Sequence, residues 1–182
     1  MGDTLNYRMG KLLREKPPIR FLGLFDTVFS TPSLDELIPW RLPNALANSL
    51  DRTRKAELLP QNVASAFHAL AIHERRPFYN AARFDGAYEV WFPGVHSHIG
   101  GGNKDSRLGD VALKWMIHKA QLAGVPIDEN EELAKSRPEL PEELISDTDA
   151  LVRKILPGDR LHESALSLSL NIDSTQMQIE ST

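Results

Sequence analysis

The pattern of apolar and polar positions predicts short buried strands that alternate with helices. Residues 19–25 (IRFLGLF) and 88–92 (YEVWF) are short and almost continuously apolar, and Pro, Gly or Asp bounds each run. Such runs are typical of strands that are buried on both faces of a parallel sheet. In contrast, residues 61–76 (QNVASAFHALAIHERR) carry apolar residues at helical spacing. This segment therefore predicts a helix, with Asn62 as its N-cap.

The C-terminal half continues the alternation. Residues 106–124 predict a second long helix, and Gly124 stands where a left-handed C-terminal cap belongs. Residues 147–156 predict another helix, which Pro and Gly end. Residues 164–173 alternate strictly between apolar and polar side chains, which indicates a half-buried strand. Residues 30–60 are rich in Pro, Ser and Asn and predict an irregular excursion.

This order of elements indicates an α/β fold with a mostly parallel sheet that is flanked by helices. A chain of 182 residues with 41% hydrophobic content suits one domain. We expect residues 1–18 to form a lead-in segment, residues 19–173 to form the domain, and residues 174–182 to form a flexible tail.

Composition excludes several kinds of protein. The chain has no cysteine, which excludes disulfides, thiolate nucleophiles and Cys-ligated metals. Its net charge is −4 and its basic residues are scattered, so we expect no nucleic-acid partner. No apolar run approaches the roughly 20 residues of a membrane-spanning helix, and the N-terminus lacks the apolar stretch of a signal peptide. We therefore expect a soluble, cytoplasmic chain with no membrane-spanning segment.

Two polar residues follow predicted strands directly. Asp26 ends the first apolar run, and His96 lies in the loop after the second run. In open parallel sheets the chemistry lies just beyond the carboxyl ends of the strands. A carboxylate there can orient an imidazole, whose other ring nitrogen then moves a proton. Taken alone, however, the two residues favour a structural interpretation, in which Asp26 caps a turn and His96 bonds to backbone.

A metal site is a further alternative for the same loop. In an extended segment, His96 and His98 would face the same side and could both bind one zinc ion. The additional ligands would come from nearby residues, namely Asp26, His73, Asp105 or Asp110. A His-x-His pair alone is a weak signal, so the structural interpretation is preferred here too. The three glycines at 100–102 lack the spacing of a phosphate-binding loop, and we expect them to turn the chain into the next helix.

Three ordered segments resemble one known family. They are FLGLFDTV (21–28), HALAIHERRPF (68–78) and EVWFPGVHSHIGGG followed by LGDVALKWMI (89–117). They resemble the α/β-hydrolase domain of the type VI secretion lipase effectors, over roughly residues 19–127. The resemblance implies a Ser-His-Asp triad that hydrolyses carboxylic esters, which are phospholipids in the characterised members. By position it implies that Asp26 is the triad acid and His96 the general base, and it makes the catalytic interpretation of this pair the preferred one.

The chain also departs from this family. The sequence contains no G-x-S-x-G elbow, which the family pattern requires before FLGLFDTV. We therefore expect a partial α/β-hydrolase, the C-terminal portion of a lipase/esterase-like domain, without its N-terminal strands and nucleophile and inactive alone. The resemblance also implies Asp at two positions where this chain has His73 and His98.

The expected partners follow from this interpretation. The complete enzyme would act on a lipid or a small ester without a cofactor, and a complementing chain or a second copy of this chain would be a partner. Type VI cargo travels without a signal peptide, so secretion by such a route stays open. The alternatives are a metal-dependent hydrolase built on His96 and His98, and a non-catalytic module that pairs through an exposed strand edge.

Overall fold

The computed structural model describes residues 16–28, 57–76, 79–102, 107–127, 153, 155–166 and 176–181. Within these residues the elements, in chain order, are β1 (Leu22–Phe25), β2 (Glu57–Leu58), β3 (Ala66–Ala71), β4 (Phe84–Asp85), β5 (Tyr88–Phe92), α1 (His96–Ile99), α2 (Arg107–Leu122), β6 (Arg160–His162), a 3-10 helix (Glu163–Ala165) and β7 (Gln178–Glu180). Five strands form a parallel sheet in the order β1-β3-β5-β6-β7, and β2 pairs with β4 separately. The predicted parallel α/β architecture is confirmed.

The register of the first three strands brings their carboxyl ends to one edge of the sheet. Phe25 of β1 pairs with Ala69 of β3, and Ala71 of β3 pairs with Phe92 of β5. The residues that follow these strands therefore lie side by side. They are Asp26 after β1, residues 72–76 after β3 and residues 93–96 after β5.

The predicted helix over residues 61–76 is wrong. This segment contains β3, the strand between β1 and β5, and Asn62 caps no helix but donates through its side chain to the carbonyl of Pro17 at 2.7 Å. The apolar run AFHALAI is buried on both faces of the sheet, so the alternation that marks a half-buried strand is absent. A short apolar run of this kind cannot be told from a helix by periodicity alone.

The predicted second helix and the strand over 88–92 are confirmed, and the run 19–25 contains the shorter strand β1, which begins at Leu22. Helix α2 packs its buried face on one side of the sheet, and Gly124, two residues beyond its end, has a φ of +77°. Gly23 allows β1 to lie close to this helix, because a Cβ there would come within 3.0 Å of the sulfur of Met116. The core on this face contains Ala69, Ala71, Val90, Phe92, Ile99, Val111, Ala112, Trp115 and Met116.

The other face of the sheet is covered by C-terminal residues, where two further sequence expectations differ from the structure. The strand predicted over 164–173 begins instead as the 3-10 helix and a turn, and residues 167–175 lie outside the described part. The strand lies just before it, as β6, and is too short to show a pattern. The core on this face contains Leu70, Ile72, Trp91, Leu161 and Ala165.

Residues near the end of the chain form the edge strand β7. The sequence analysis expected a flexible tail over residues 174–182 and did not predict this strand. The Glu180 carboxylate accepts hydrogen bonds from Tyr88 at 2.7 Å and from the Trp115 indole at 3.3 Å, and it pairs with Lys119. Most of the irregular excursion predicted over residues 30–60 lies outside the described residues, and its described end contains β2. The helix predicted over residues 147–156 also lies largely outside them, but its described residues 153, 155 and 156 are not helical. No helix in the described part of the chain is long and apolar enough to cross a membrane.

Candidate active site

Asp26 stands at the carboxyl end of β1 in a left-handed backbone conformation. Its φ is +44°, a region that few residues other than glycine adopt, although Asp tolerates it better than most. Its N–H donates to the carbonyl of Ala69 at 2.7 Å, and its side chain is fully buried. One carboxylate oxygen, Oδ1, accepts the N–H of Ala71 at 2.8 Å. The turn therefore directs the carboxylate across the edge of the sheet towards the ends of β3 and β5.

The structure brings His96 into contact with this carboxylate. The distance between His96 Nδ1 and Asp26 Oδ2 is 2.8 Å, although the residues are 70 positions apart. Because a carboxylate can only accept, we assign the proton to Nδ1, which leaves Nε2 as the basic nitrogen of the neutral ring. The His96 side chain is 30% exposed, whereas that of Asp26 is buried. The imidazole can therefore face a reactant while its other side is fixed.

Arg153 is a member of this site that the sequence did not reveal. Its buried guanidinium forms an ion pair with Asp26 Oδ1 and also donates to the carbonyls of Ala71 and Tyr79. The Tyr79 ring in turn contacts the His96 ring edge to face, with centroids 5.0 Å apart. Nothing in the local sequence of Arg153 distinguishes it from a surface arginine, so no signal could have identified it.

His68 supports the turn after Asp26, although the sequence analysis gave it no place in the site. Its Nε2 accepts the N–H of Thr27 at 3.1 Å, and its Nδ1 donates to Glu89 at 3.3 Å. Burial raises the pKa of Glu89, but the hydrogen bond from His68 and the charge of Arg83 outweigh it, and the net pKa lies below the ordinary value. The two hydrogen bonds of the His68 ring could have been anticipated only if residues 61–76 had been interpreted as containing a strand.

Glu74 connects the end of β3 to the His96 loop. Its carboxylate is buried and accepts hydrogen bonds from the His96 backbone at 3.1 Å and from the guanidinium of Arg76 at 2.8 and 2.9 Å. Burial raises the pKa of Glu74, but the hydrogen bonds from Arg76 and His96 reverse this, and the pKa falls to about 2. Glu74 is therefore an anionic anchor for the loop at neutral pH.

His73 and His98 both bond to the backbone of this loop. His73 Nδ1 accepts the N–H of Gly94 at 2.8 Å, and His98 Nδ1 accepts the N–H of Val95 at 3.1 Å. A carboxylate oxygen can accept an N–H in the same way. The two histidines thus accept backbone N–H groups that the aspartates expected at these positions could also accept.

The geometry expected for a metal site differs from what is found. His96 and His98 lie in the helical turn α1, not in an extended segment, so their side chains leave the backbone in different directions. His96 Nδ1 meets Asp26, while His98 Nδ1 meets the backbone. Among the described residues no three His, Asp or Glu side chains are grouped so as to hold a metal ion, and Asp105 lies outside them.

A cavity of about 250 Å³ lies behind the His96 loop. Phe25 and Leu113 contribute apolar lining, and Ser97 and His98 also line it. The three glycines also border it, and Gly101 and Gly102 have φ values of +87° and +98°. These left-handed conformations agree with the expected sharp turn towards α2.

Comparison with known proteins supplies the family. No curated protein and no solved structure matches the chain. The sequence model of the family described as "T6SS, Phospholipase effector Tle1-like, catalytic domain" matches residues 6–119, which is more than half of the chain. The match includes Asp26, Glu74 and His96 but ends before Arg153. The chain therefore belongs to the family of Tle1-like phospholipase effectors of the type VI secretion system, and the matching segment corresponds to their catalytic domain.

Proposed function

We propose that this chain supplies the acid and the base of a serine-type carboxylic ester hydrolase that acts on phospholipids. The observation that carries the proposal is the 2.8 Å contact between His96 Nδ1 and Asp26 Oδ2 at the carboxyl edge of the parallel sheet. Both residues fall inside the segment that matches the phospholipase family. Secretion through the type VI system is part of the proposal, since it rests on the same family.

In this mechanism His96 Nε2 takes the proton of a serine hydroxyl as the hydroxyl attacks the ester carbonyl. The proton then passes from His96 to the leaving alcohol, and a water molecule repeats the sequence to release the fatty acid. Asp26 holds the ring in the required tautomer and stabilises the imidazolium that forms in each step. The exposure of the His96 ring and the burial of Asp26 suit these two roles.

The nucleophile is proposed to come from outside these 182 residues. The sequence has no G-x-S-x-G elbow, and among the described residues no hydroxyl is hydrogen-bonded to His96. In the described sheet, β1 has a neighbour only on its β3 side. We propose that a further strand pairs along the other side of β1 and brings the serine and the oxyanion hole, either from the same polypeptide or from a complementing chain.

The first experiment measures fatty-acid release from phosphatidylethanolamine and phosphatidylglycerol vesicles by the purified 182-residue chain. We expect no release above background from wild type that circular dichroism shows to be folded. Release that is lost in His96→Ala and insensitive to a chelator would retain the pair but place the serine within this chain. Release that a chelator abolishes would favour the metal-dependent alternative.

The base itself can be tested without the serine. p-Nitrophenyl acetate acylates basic imidazole nitrogens, and mass spectrometry locates the acetyl group. We expect His96 to be acetylated faster than His118, which is exposed on α2, and we expect Asp26→Asn to slow the reaction several-fold because the amide no longer enforces the tautomer. Equal rates for the two histidines, with no response to Asp26→Asn, would contradict the proposed pair.

A further inference from the structure

Three consecutive backbone N–H groups, of which the last belongs to His96, each donate a hydrogen bond to a side chain. The donors are the N–H groups of residues 94–96, which leave the end of β5 and enter α1. The acceptors, in the same order, are His73 Nδ1 at 2.8 Å, His98 Nδ1 at 3.1 Å and Glu74 Oε2 at 3.1 Å. Two of these acceptors are imidazole nitrogens. A neutral imidazole has only one nitrogen that can accept a hydrogen bond, so each ring uses its single acceptor on this loop.

The turn at Gly94 explains why these donors need partners. Its φ is +124° and it is buried, and a Cβ there would lie 2.8 Å from the Cβ of His98. The turn takes the chain away from the sheet, so the N–H groups of residues 94–96 have no strand partner. A buried N–H group without a partner is destabilising, because it has lost its hydrogen bond to water. The three side chains remove this destabilisation and hold the backbone in one conformation.

Strand register explains how His73 reaches its donor. Ala71 pairs with Phe92 across β3 and β5, so the two chains leave the sheet side by side. The backbone N–H of His73 donates to the carbonyl of Gly94 at 2.9 Å, while its ring accepts from the N–H of the same residue. His73 therefore clamps Gly94 from both sides of the peptide backbone.

The ring of His73 is suited to remain an acceptor. Burial, together with the charge of Arg75, lowers the pKa of His73 to about 4. The ring is therefore neutral at neutral pH, with its proton on Nε2. This Nε2 is buried and has no hydrogen-bond partner among the residues that the structure describes, so the ring satisfies the Gly94 donor while its own N–H stays unbonded to them. The hydrogen bond therefore satisfies the backbone of the loop and not the side chain of His73.

We propose that His73, His98 and Glu74 are positioning residues, which fix the backbone that carries His96 and so set its imidazole against Asp26. The inference rests on the proposed role of His96 as the base. It adds the two histidines to the machinery of the site, where each acts through a single hydrogen bond from its Nδ1 to the loop.

The test is amide hydrogen exchange measured residue by residue by NMR. His73→Leu should accelerate exchange of the Gly94 amide roughly tenfold, and His98→Leu should do the same for the Val95 amide, because each removes one hydrogen bond; tenfold corresponds to about 1.4 kcal/mol. The amide of Leu70, a fully buried residue of β3, reports global stability and should change much less. Acetylation of His96 by p-nitrophenyl acetate should fall several-fold in both variants.

Asparagine variants provide the matched control. The side-chain oxygen of Asn stands close to the position of His Nδ1 and can accept the same N–H. His73→Asn and His98→Asn should therefore keep the exchange of the Gly94 and Val95 amides within about twofold of wild type. If the Asn variants are as disturbed as the Leu variants, the histidines fill space only, and the proposal is overturned.

A measurement on wild type covers the case in which the Leu variants do not fold. A long-range ¹H–¹⁵N spectrum at pH 7 should show Nδ1 as the unprotonated nitrogen of both His73 and His98. A protonated Nδ1 in either ring would overturn the proposal for that residue. These readouts do not depend on hydrolysis, so they stand apart from the acetylation of wild-type His96, on which the proposed function itself depends.

Discussion

Arg153 and Asp26 form a buried ion pair across 127 positions of the chain, with side chains that are 4% and 0% exposed. Asp26 thus lies between a fixed cation on one oxygen and His96 on the other. Arg153 comes from beyond the segment that matches the family. The C-terminal part of the chain is therefore physically joined to the proposed acid.

Loss of the Arg153 cation should destabilise the fold strongly. Arg153→Met should lower the free energy of unfolding by about 3–5 kcal/mol, because it leaves the Asp26 charge buried without its cation. Urea unfolding at pH 7 measures the change. In the background of Asp26→Asn the same substitution should cost clearly less. Equal costs in both backgrounds would contradict the coupling, and Arg20→Met, at an exposed position, should cost less than about 1 kcal/mol.

Because His162 is buried, we expect the folded protein to lose stability as the solution becomes mildly acidic. Burial, with the charge of Lys119, lowers the pKa of His162 to about 4, although Glu163 and Glu180 raise it in part. In the unfolded chain the pKa is near 6.5. As pH falls from 6.5 to 4, the unfolded chain therefore binds a proton that the folded chain does not, and this residue lowers the free energy of unfolding by about 2–3 kcal/mol.

The variant His162→Asn isolates this contribution. It keeps a side-chain acceptor for the N–H of Ser164, which His162 Nδ1 now accepts at 3.2 Å, but it does not titrate. Urea unfolding from pH 7 to pH 4 should show a smaller loss of stability in the variant than in wild type. Because His73 titrates in both proteins, its share cancels in the difference. Parallel pH profiles would contradict the prediction.

Gly94 should not tolerate a side chain. An alanine would require an unfavourable φ of +124° and would bring its Cβ to 2.8 Å from that of His98. Gly94→Ala should lower the free energy of unfolding by about 2–4 kcal/mol. Gly158 also has a positive φ of +88° but has nothing within 4 Å of its Cβ position, so Gly158→Ala should cost only about 1 kcal/mol. Thermal unfolding of both variants separates steric contact from backbone strain.

Glu180 should hold the C-terminal strand in place. Its carboxylate meets Tyr88, Trp115 and Lys119. Burial raises the pKa of Glu180, but the hydrogen bonds from Lys119, Tyr88 and Trp115 bring it below the ordinary value. Glu180→Ala should lower the free energy of unfolding by about 1–3 kcal/mol.

The local signature of Glu180→Ala is amide exchange in β7. The N–H groups of residues 178–180 should exchange faster than in wild type, whereas Glu163→Ala, at an exposed position, should leave them unchanged. Slow exchange of β7 in Glu180→Ala would show that the backbone pairing with β6 suffices.

The sequence by itself determined the parts of the fold with a local signal. The strands within 19–25 and at 88–92 follow from short apolar runs between chain breakers, and α2 follows from helical periodicity with Gly124 as its cap. Asp26 and His96 lie just after two such strands, and parallel strands end at a common edge, so their placement made a contact conceivable. Taken alone it favoured separate structural roles, and only the family resemblance made the pair the preferred interpretation. Their 2.8 Å contact is a finding of the structure.

The tertiary structure decided what has no local signal. Residues 66–71 are a central strand because neighbours cover both faces, a condition that removes the alternation by which a strand is recognised. Arg153 reaches Asp26 only through the folding of the C-terminal part, and the bonds of His73 and His98 to the loop depend on the register of β3 and β5. Such contacts join distant residues, so only the packed sheet determines them.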